Sequence, residues 1–220
     1  MKLTIINGSP RGKGSNTKIL MEHFLKGYTS ICMTDFNVSY LIHAKDLEQQ
    51  VQLFKNSEYV ILAFPLYTDA MPAIVMNFIE ELEGIANLDV KPAIGFVVQS
   101  GFPEPYQSRF VERYLVKLSK RLNCEYLGTV IKGGVEGIQI MPESWTKKLF
   151  QSFFELGEHF GKTKEFHPDI IAKLAKNEKL SSSRLFVFNL MQKLGLANFY
   201  WNKKLKDNKA FERRFDRPYV

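Results

Sequence analysis

The sequence predicts an α/β protein: an open, doubly wound sheet of five parallel strands, followed by a helical extension at the C-terminal end. Three observations carry this expectation. Short apolar, β-branched runs alternate with helical periodicity through the first 160 residues or so. The first such run opens into a loop crowded with glycine and hydroxyl residues. Near Gly161 the composition changes from a body of almost balanced charge to a strongly basic tail.

Leu3-Thr4-Ile5-Ile6 is a short apolar run closed by Asn7-Gly8, the pattern of a buried strand. From Asn16 onward Ile19, Leu20, Phe24 and Leu25 recur at helical spacing, with Gly27 as the expected stop. A weaker strand is expected within residues 36–42, then a helix over Leu47–Lys55 with Val51 and Phe54 on one face. Residues 59–64 form the clearest strand and end at Pro65. Pro72 suits the first turn of a helix carrying Ile74, Val75, Phe78 and Leu82, where a missing N–H costs nothing. Residues 93–98 read as a strand, 107–122 as a helix, 126–131 as a strand running into Gly133-Gly134, and 143–160 as a helix. Strands separated by helices of this length pair in parallel through crossovers. Five of them in this length match the flavodoxin-like doubly wound order, whereas an α/β barrel needs ~250 residues. Ligands of such sheets bind beyond the carboxyl ends of the strands, which directs attention to the loops beginning at Gly8, Pro65, Gln99 and Gly133.

Composition narrows the class. Of 220 residues, 45% are hydrophobic and 24% charged, enough apolar material for a core and too much for a disordered or collagenous chain. Cys32 and Cys124 are too few for a disulfide framework or a CxxC metal site, so a reducing cytoplasm is expected and both thiols should pack as small apolar groups. The apolar run at the start is too short for a signal peptide, and no later run reaches the ~18 residues of a membrane span. The net charge of +7 is unevenly placed: residues 1–161 hold 16 Lys and Arg against 17 Asp and Glu, and residues 162–220 hold 14 against 6. A nucleic-acid-binding fold would spread that excess over its body, so no nucleic-acid partner is expected. The break divides the chain into a body, residues 1–161, and an extension, residues 162–220.

The first loop, Gly8-Ser9-Pro10-Arg11-Gly12-Lys13-Gly14-Ser15-Asn16-Thr17, has the makings of a phosphate cradle. Its small residues let backbone approach a ligand. Ser9, Ser15, Asn16 and Thr17 bring hydroxyl and amide donors, and Arg11 and Lys13 bring positive charge. The helix start adds free N–H groups and the positive end of its dipole. It is not a Walker loop, because only three residues separate Gly8 from Gly12-Lys13 and a glycine follows. Nor is it a dinucleotide fingerprint, because Thr17 stands where the third glycine belongs. A plain turn with a helix cap is the competing reading. The four histidines show no spacing that suggests metal ligation, and no Gly-x-Ser-x-Gly elbow supports a serine hydrolase.

Ser9-Pro10-Arg11 followed by Ser15-Asn16-Thr17 resembles the phosphate loop of the NADPH-dependent FMN reductase and NAD(P)H:quinone oxidoreductase group of flavodoxin-like proteins. Phe64-Pro65-Leu66-Tyr67-Thr68-Asp69-Ala70-Met71-Pro72, followed by Val75-Met76-Asn77-Phe78-Ile79-Glu80, is similar to that group's second motif. The resemblance covers residues 1–160 and implies an FMN-dependent oxidoreductase. It places the FMN phosphate on Ser9, Arg11, Ser15, Asn16 and Thr17, and the isoalloxazine ring along Pro65, Leu66, Tyr67 and Thr68. Gln99, Ser100 and Gly101 are positioned to offer donors to the pyrimidine edge of the flavin. Gly134 belongs to a Gly-Gly loop that borders the active site in the family, with a flexible turn as the alternative. NAD(P)H is the implied co-substrate, and a quinone, free flavin, or nitro or azo compound the small-molecule acceptor. That ping-pong hydride transfer requires no dedicated catalytic acid–base residue. The related iron–sulfur flavoproteins carry a compact cysteine cluster between the two motifs; here only Cys32 lies in that interval, which excludes a cluster. Such reductases are commonly homodimers with the flavin near the subunit boundary. The rival is a non-enzymatic flavin electron carrier or redox sensor that docks a protein partner through the basic extension. Ordinary flavodoxins are acidic and carry a Ser/Thr-x-Thr-Gly-x-Thr loop, and this chain has neither trait.

Within the extension, Leu185-Phe186-Val187-Phe188-Asn189-Leu190-Met191 and Leu194 are apolar almost all round a helix, which predicts burial. Phe199-Tyr200-Trp201 stands beside Lys203, Lys204 and Lys206, a mixture open to nucleic-acid or membrane-surface binding. A dimer arm or a lid that helps wall the flavin site accounts for the apolar content more simply.

Overall fold

Parallel pairing runs through the whole sheet of the computed structural model, which describes residues 2–33, 35–44, 47–176, 178–195 and 198–217, the side chain of Tyr200 lying outside the described set. The strands are β1 (Leu3–Asn7), β2 (Phe36–Tyr40), β3 (Tyr59–Pro65), β4 (Ala93–Gln99) and β5 (Tyr126–Lys132). They are arranged in the order β2-β1-β3-β4-β5, the flavodoxin-like doubly wound order. Alternate residues of a strand point to opposite faces, so a parallel sheet needs cover on both. On one face Val60, Leu62 and Phe64 pack with Phe54, Val75, Phe78 and Leu115 from α2 (Leu47–Lys55), α3 (Ala73–Glu80) and α4 (Arg109–Arg121). On the other, Ile61 and Ala63 pack with Phe24, Tyr28, Phe153, Phe160 and Leu174 from α1 (Asn16–Ile31), α5 (Glu143–Thr163) and α6 (Pro168–Leu174). The edge strand β2 is only partly buried, which accounts for its weak apolar signal. Cys124 lies in the first core, where burial pushes its thiol up to about 11 and keeps it a neutral, apolar filler at ordinary pH.

Gly27 does not stop α1, which continues to Ile31. It is a contact surface. A Cβ on Gly27 would lie 2.8 Å from the carbonyl carbon of Phe154 and 2.9 Å from the amide nitrogen of Glu158, both on α5. Reciprocally, a Cβ on Gly157 would meet the Phe24 carbonyl carbon at 2.8 Å and the Tyr28 nitrogen at 2.9 Å. The two glycines bring α1 and α5 backbone to backbone, and the helix propensity that Gly27 forfeits is outweighed by that packing.

The compositional break at Gly161 falls inside α5, which runs to Thr163. Beyond it Phe166, Leu174 and Ala175 are buried, with Phe166 and Leu174 in the same core as β3 and β4. The first compact unit therefore extends over Met1–Glu178, and a second comprises Lys179–Val220, with α7 (Ser182–Lys193) and α8 (Phe199–Asp207). The helix expected around residues 185–194 forms, with Ser181 capping it by accepting from the Arg184 N–H. Its expected burial is overturned within the single chain: no residue of α7 is buried. A unit this small, with two short helices, has too little material to enclose a helix whose apolar side chains spread around most of its surface.

Candidate functional site

β1 sits between β2 and β3, and α1 leaves it toward one face of the sheet while α3 leaves β3 toward the other. The loops after β1 and β3 therefore diverge, and a crevice opens at the carboxyl edge between them. The first loop is pinned there by the Gly8 N–H, which donates to the Ala63 carbonyl at 2.8 Å. Gly8 also runs against α3, where a Cβ would overlap the Val75 Cγ2 methyl and approach Phe64 Cβ to 3.2 Å.

A network of buried polar groups shapes the loop. Ser15 is the N-cap of α1: its Oγ accepts from the Lys18 N–H at 3.2 Å and donates to the Gly12 carbonyl at 2.6 Å. Ser9 donates its N–H to Asn7 Oδ1 at 2.9 Å, and its Oγ accepts from the Arg11 N–H at 3.3 Å. Asn16 Nδ2 donates to the Val135 carbonyl at 2.8 Å, and Asn16 Oδ1 accepts from Gln139 Nε2 at 2.8 Å, which ties α1 to the loop after β5. Gln99 Nε2 donates to Thr17 Oγ1 at 3.2 Å. Ser9, Ser15, Asn16, Thr17, Gln99 and Ser100 are all buried. So many buried polar side chains at one sheet edge are costly unless they serve one another or a ligand.

The structure brings nine of the candidate residues around one small cavity of about 20 Å³. Ser9, Arg11 and Asn16 come from the first loop, Pro65, Leu66 and Tyr67 from the second, and Gln99, Ser100 and Gly101 from the third. Ser15 and Thr17 stand behind this lining as helix cap and as the acceptor for Gln99. Thr68 lies at the tip of the second loop and Gly134 in the fourth; neither lines the cavity. Gly134 takes a left-handed conformation, φ 72°, while its N–H donates to the Phe102 carbonyl at 2.7 Å.

A tenth lining residue, Glu136, was not singled out from the sequence. It accepts from Arg11 Nη2 at 2.8 Å, so the loop's arginine is paired with a carboxylate 125 positions along the chain. The only sequence signal was an acidic residue inside a glycine-rich loop past the last strand. Lys132, at the end of β5, has its ammonium pKa pulled down by burial.

Tyr67 is half-exposed at the base of a two-residue hairpin, exchanging N–H···O bonds with Ala70 at 2.8 and 3.1 Å. Both central residues are left-handed, Thr68 at φ 50° and Asp69 at φ 61°, the backbone of a type I′ turn. A β-branched threonine is strained there, and strain of this kind gathers where a loop presents a side chain to a ligand. Replacing the pair by the favoured residues, Thr68→Asn with Asp69→Gly, is expected to raise folding stability by about 1–2 kcal/mol. Urea unfolding checks this, and a loss of stability would show that Thr68 and Asp69 side chains anchor the turn.

Chemically, the edge offers neutral donors, one helix N-terminus and one guanidinium, a donor set suited to a phosphate monoester. Among the described residues no group of three His, Cys, Asp or Glu side chains could hold a metal ion.

Comparison with known proteins places these features in context. The family model Flavodoxin_2, described as "Flavodoxin-like fold", matches residues 1–149. No curated protein matches the sequence. Among solved structures, the NAD(P)H:quinone oxidoreductase from Methanothermobacter marburgensis superposes with a TM-score of 0.57 at 11% identity, over 76% of this chain and 98% of that one. The FMN-dependent NADH-azoreductase from Bacillus anthracis, in complex with FMN, gives 0.54 at 13% identity, over 74% and 100% of the two chains. The NADPH-quinone reductase from P. pentosaceus gives 0.54 at 19%, over 70% and 96%. At these identities the likeness is one of fold.

Proposed function

The chain belongs to the Flavodoxin_2 family of flavodoxin-like proteins, and from that premise we propose that it is an FMN-dependent oxidoreductase that passes reducing equivalents from NAD(P)H to a small quinone, flavin, nitro or azo acceptor. The observation that carries the reading is the convergence on one cavity, at the topological switch point, of buried polar side chains from the loops after β1 and β4 with Pro65, Leu66 and Tyr67 from the loop after β3. When bound, FMN supplies the hydride chemistry that no side chain has.

The residues of the chain bind and orient. Ser9, Arg11 and Asn16, with the α1 N-terminus that Ser15 caps and Thr17 behind it, hold the phosphate end. Pro65, Leu66, Tyr67 and Thr68 border the ring, Tyr67 offering an aromatic face from its strained turn. Gln99, Ser100 and Gly101 offer polar atoms to the ring's edge, and Gly134 shapes the neighbouring loop. The proposed assembly is a homodimer: Met76, Phe110 and Tyr114 are exposed around an apolar groove of about 310 Å³ that shares Asp69 and Ala70 with the Tyr67 hairpin. The proposed location is the cytoplasm, which suits two free thiols; among the described residues no helix is long and apolar enough to cross a membrane.

The test is cofactor release and turnover. Heating the purified protein is expected to release FMN, and mixing with NADH or NADPH should bleach the flavin absorbance, with a quinone restoring it. Parallel double-reciprocal lines would show the ping-pong order. Recovery of FAD or of no flavin overturns the cofactor assignment. A flavin that neither nucleotide reduces overturns the enzyme and leaves the electron carrier.

A further inference from the structure

The second unit carries the whole net charge of the protein. Met1–Glu178 holds 20 Lys and Arg against 20 Asp and Glu, whereas Lys179–Val220 holds 10 against 3. The same unit turns apolar side chains to solvent. On α7, Phe186 is 70% exposed, and Leu185, Val187, Phe188 and Leu190 are also exposed; Phe199 and Trp201 on α8 and Phe215 beyond it add aromatic surface. An apolar surface of this extent beside concentrated positive charge marks an interaction site.

We propose that this unit docks the protein on an anionic lipid surface, with α7 lying in the boundary between headgroups and acyl chains, an assignment independent of the flavin reading. Length excludes a crossing: the twelve residues of α7 rise ~18 Å, well short of a ~30 Å hydrocarbon core. Leu185, Phe186, Val187, Phe188, Leu190 and Met191 spread around most of the helix, while Ser182, Asn189 and Lys193 share one narrow polar strip, the pattern of a helix lying in the boundary between headgroups and acyl chains. Lying there, Arg184 in its first turn and Lys193 in its last can both extend their charged ends to headgroup phosphates. Trp201 has the amphipathic ring that favours the interface, and Arg214 stacks on Phe211 and Phe215, pairing charge with apolar surface in the same way.

Charge decides between occupants. A second copy would set one positive unit against another, or against a first unit with no net charge to offer. An anionic bilayer supplies the missing counter-charge, and each cation near it adds attraction that salt screens within a Debye length.

The experiment is flotation of the full-length protein with vesicles of phosphatidylcholine, with and without phosphatidylglycerol. Binding is expected to the anionic vesicles only and to weaken as salt rises. Phe186→Asp with Leu190→Asp should lower the partition coefficient by about 100-fold or more. Lys203→Glu with Lys209→Glu should lower it by about tenfold or more. Unchanged circular dichroism and thermal unfolding in both variants separate loss of docking from loss of folding. No binding to anionic vesicles at low salt overturns the proposal. So does an Asp variant that still floats with vesicles while its mass by light scattering falls from dimer to monomer, which would make a second copy the occupant of α7.

Discussion

Gly157→Ala and Gly27→Ala are each expected to cost about 3 kcal/mol or more of folding stability, although each replaces glycine by the best helix former. In an isolated helix the exchange gains about 1 kcal/mol. Here the new methyl meets backbone of the facing helix, the Phe154 carbonyl in one case and the Phe24 carbonyl in the other. A side chain in the way could rotate; a helical carbonyl cannot, so α1 and α5 must move apart along their length. That separation loosens Phe24, Tyr28, Phe153 and Phe160, which are fully buried. Because one displacement relieves both clashes, the double variant should lose less than the two single losses added together, by about 1 kcal/mol or more. Urea unfolding of the three variants measures this. Unchanged or increased stability for either single variant would show that the helices do not touch at these glycines.

Arg11→Ala is expected to weaken FMN binding by about 10- to 150-fold, the equivalent of losing a charge-assisted hydrogen bond of about 1.5–3 kcal/mol, with the fold intact. Glu136→Gln should act in the opposite direction. The carboxylate holds Arg11 at 2.8 Å and places a negative charge beside the cradle, so an incoming phosphate must compete with it. The pair is solvent-exposed on the Arg11 side and solvent screening limits its strength, so the gain should not exceed about fivefold. Quenching of flavin fluorescence gives both dissociation constants. An unchanged value for Arg11→Ala would assign the phosphate to the backbone N–H groups at the start of α1. Weaker binding by Glu136→Gln would mean that the carboxylate orients Arg11 toward its ligand.

The strands, the helices that cover them and the loop chemistry of residues 8–17 were legible because each is written in a short stretch of chain. Alternating or continuous apolar runs specify β1, β3 and β4, and helical spacing specifies α1 and α5. Their order along the chain, with crossovers that must be parallel, then leads to the doubly wound sheet. The Thr68-Asp69 turn was not legible, because these are not the residues its left-handed backbone prefers.

What the sequence determined by itself was the fold class and the four loops that meet at the carboxyl edge of the sheet. Tertiary structure alone decided that Gly27 is a helix contact and not a helix stop, that the first unit runs past Gly161, through the end of α5 and α6, as far as Glu178, that Arg11 answers to Glu136, and that no residue of α7 is buried. The reason is one of range. Periodicity and capping act between residues a few positions apart, whereas each of these outcomes depends on how finished elements pack, and no local pattern states which distant backbone, carboxylate or apolar face will lie opposite.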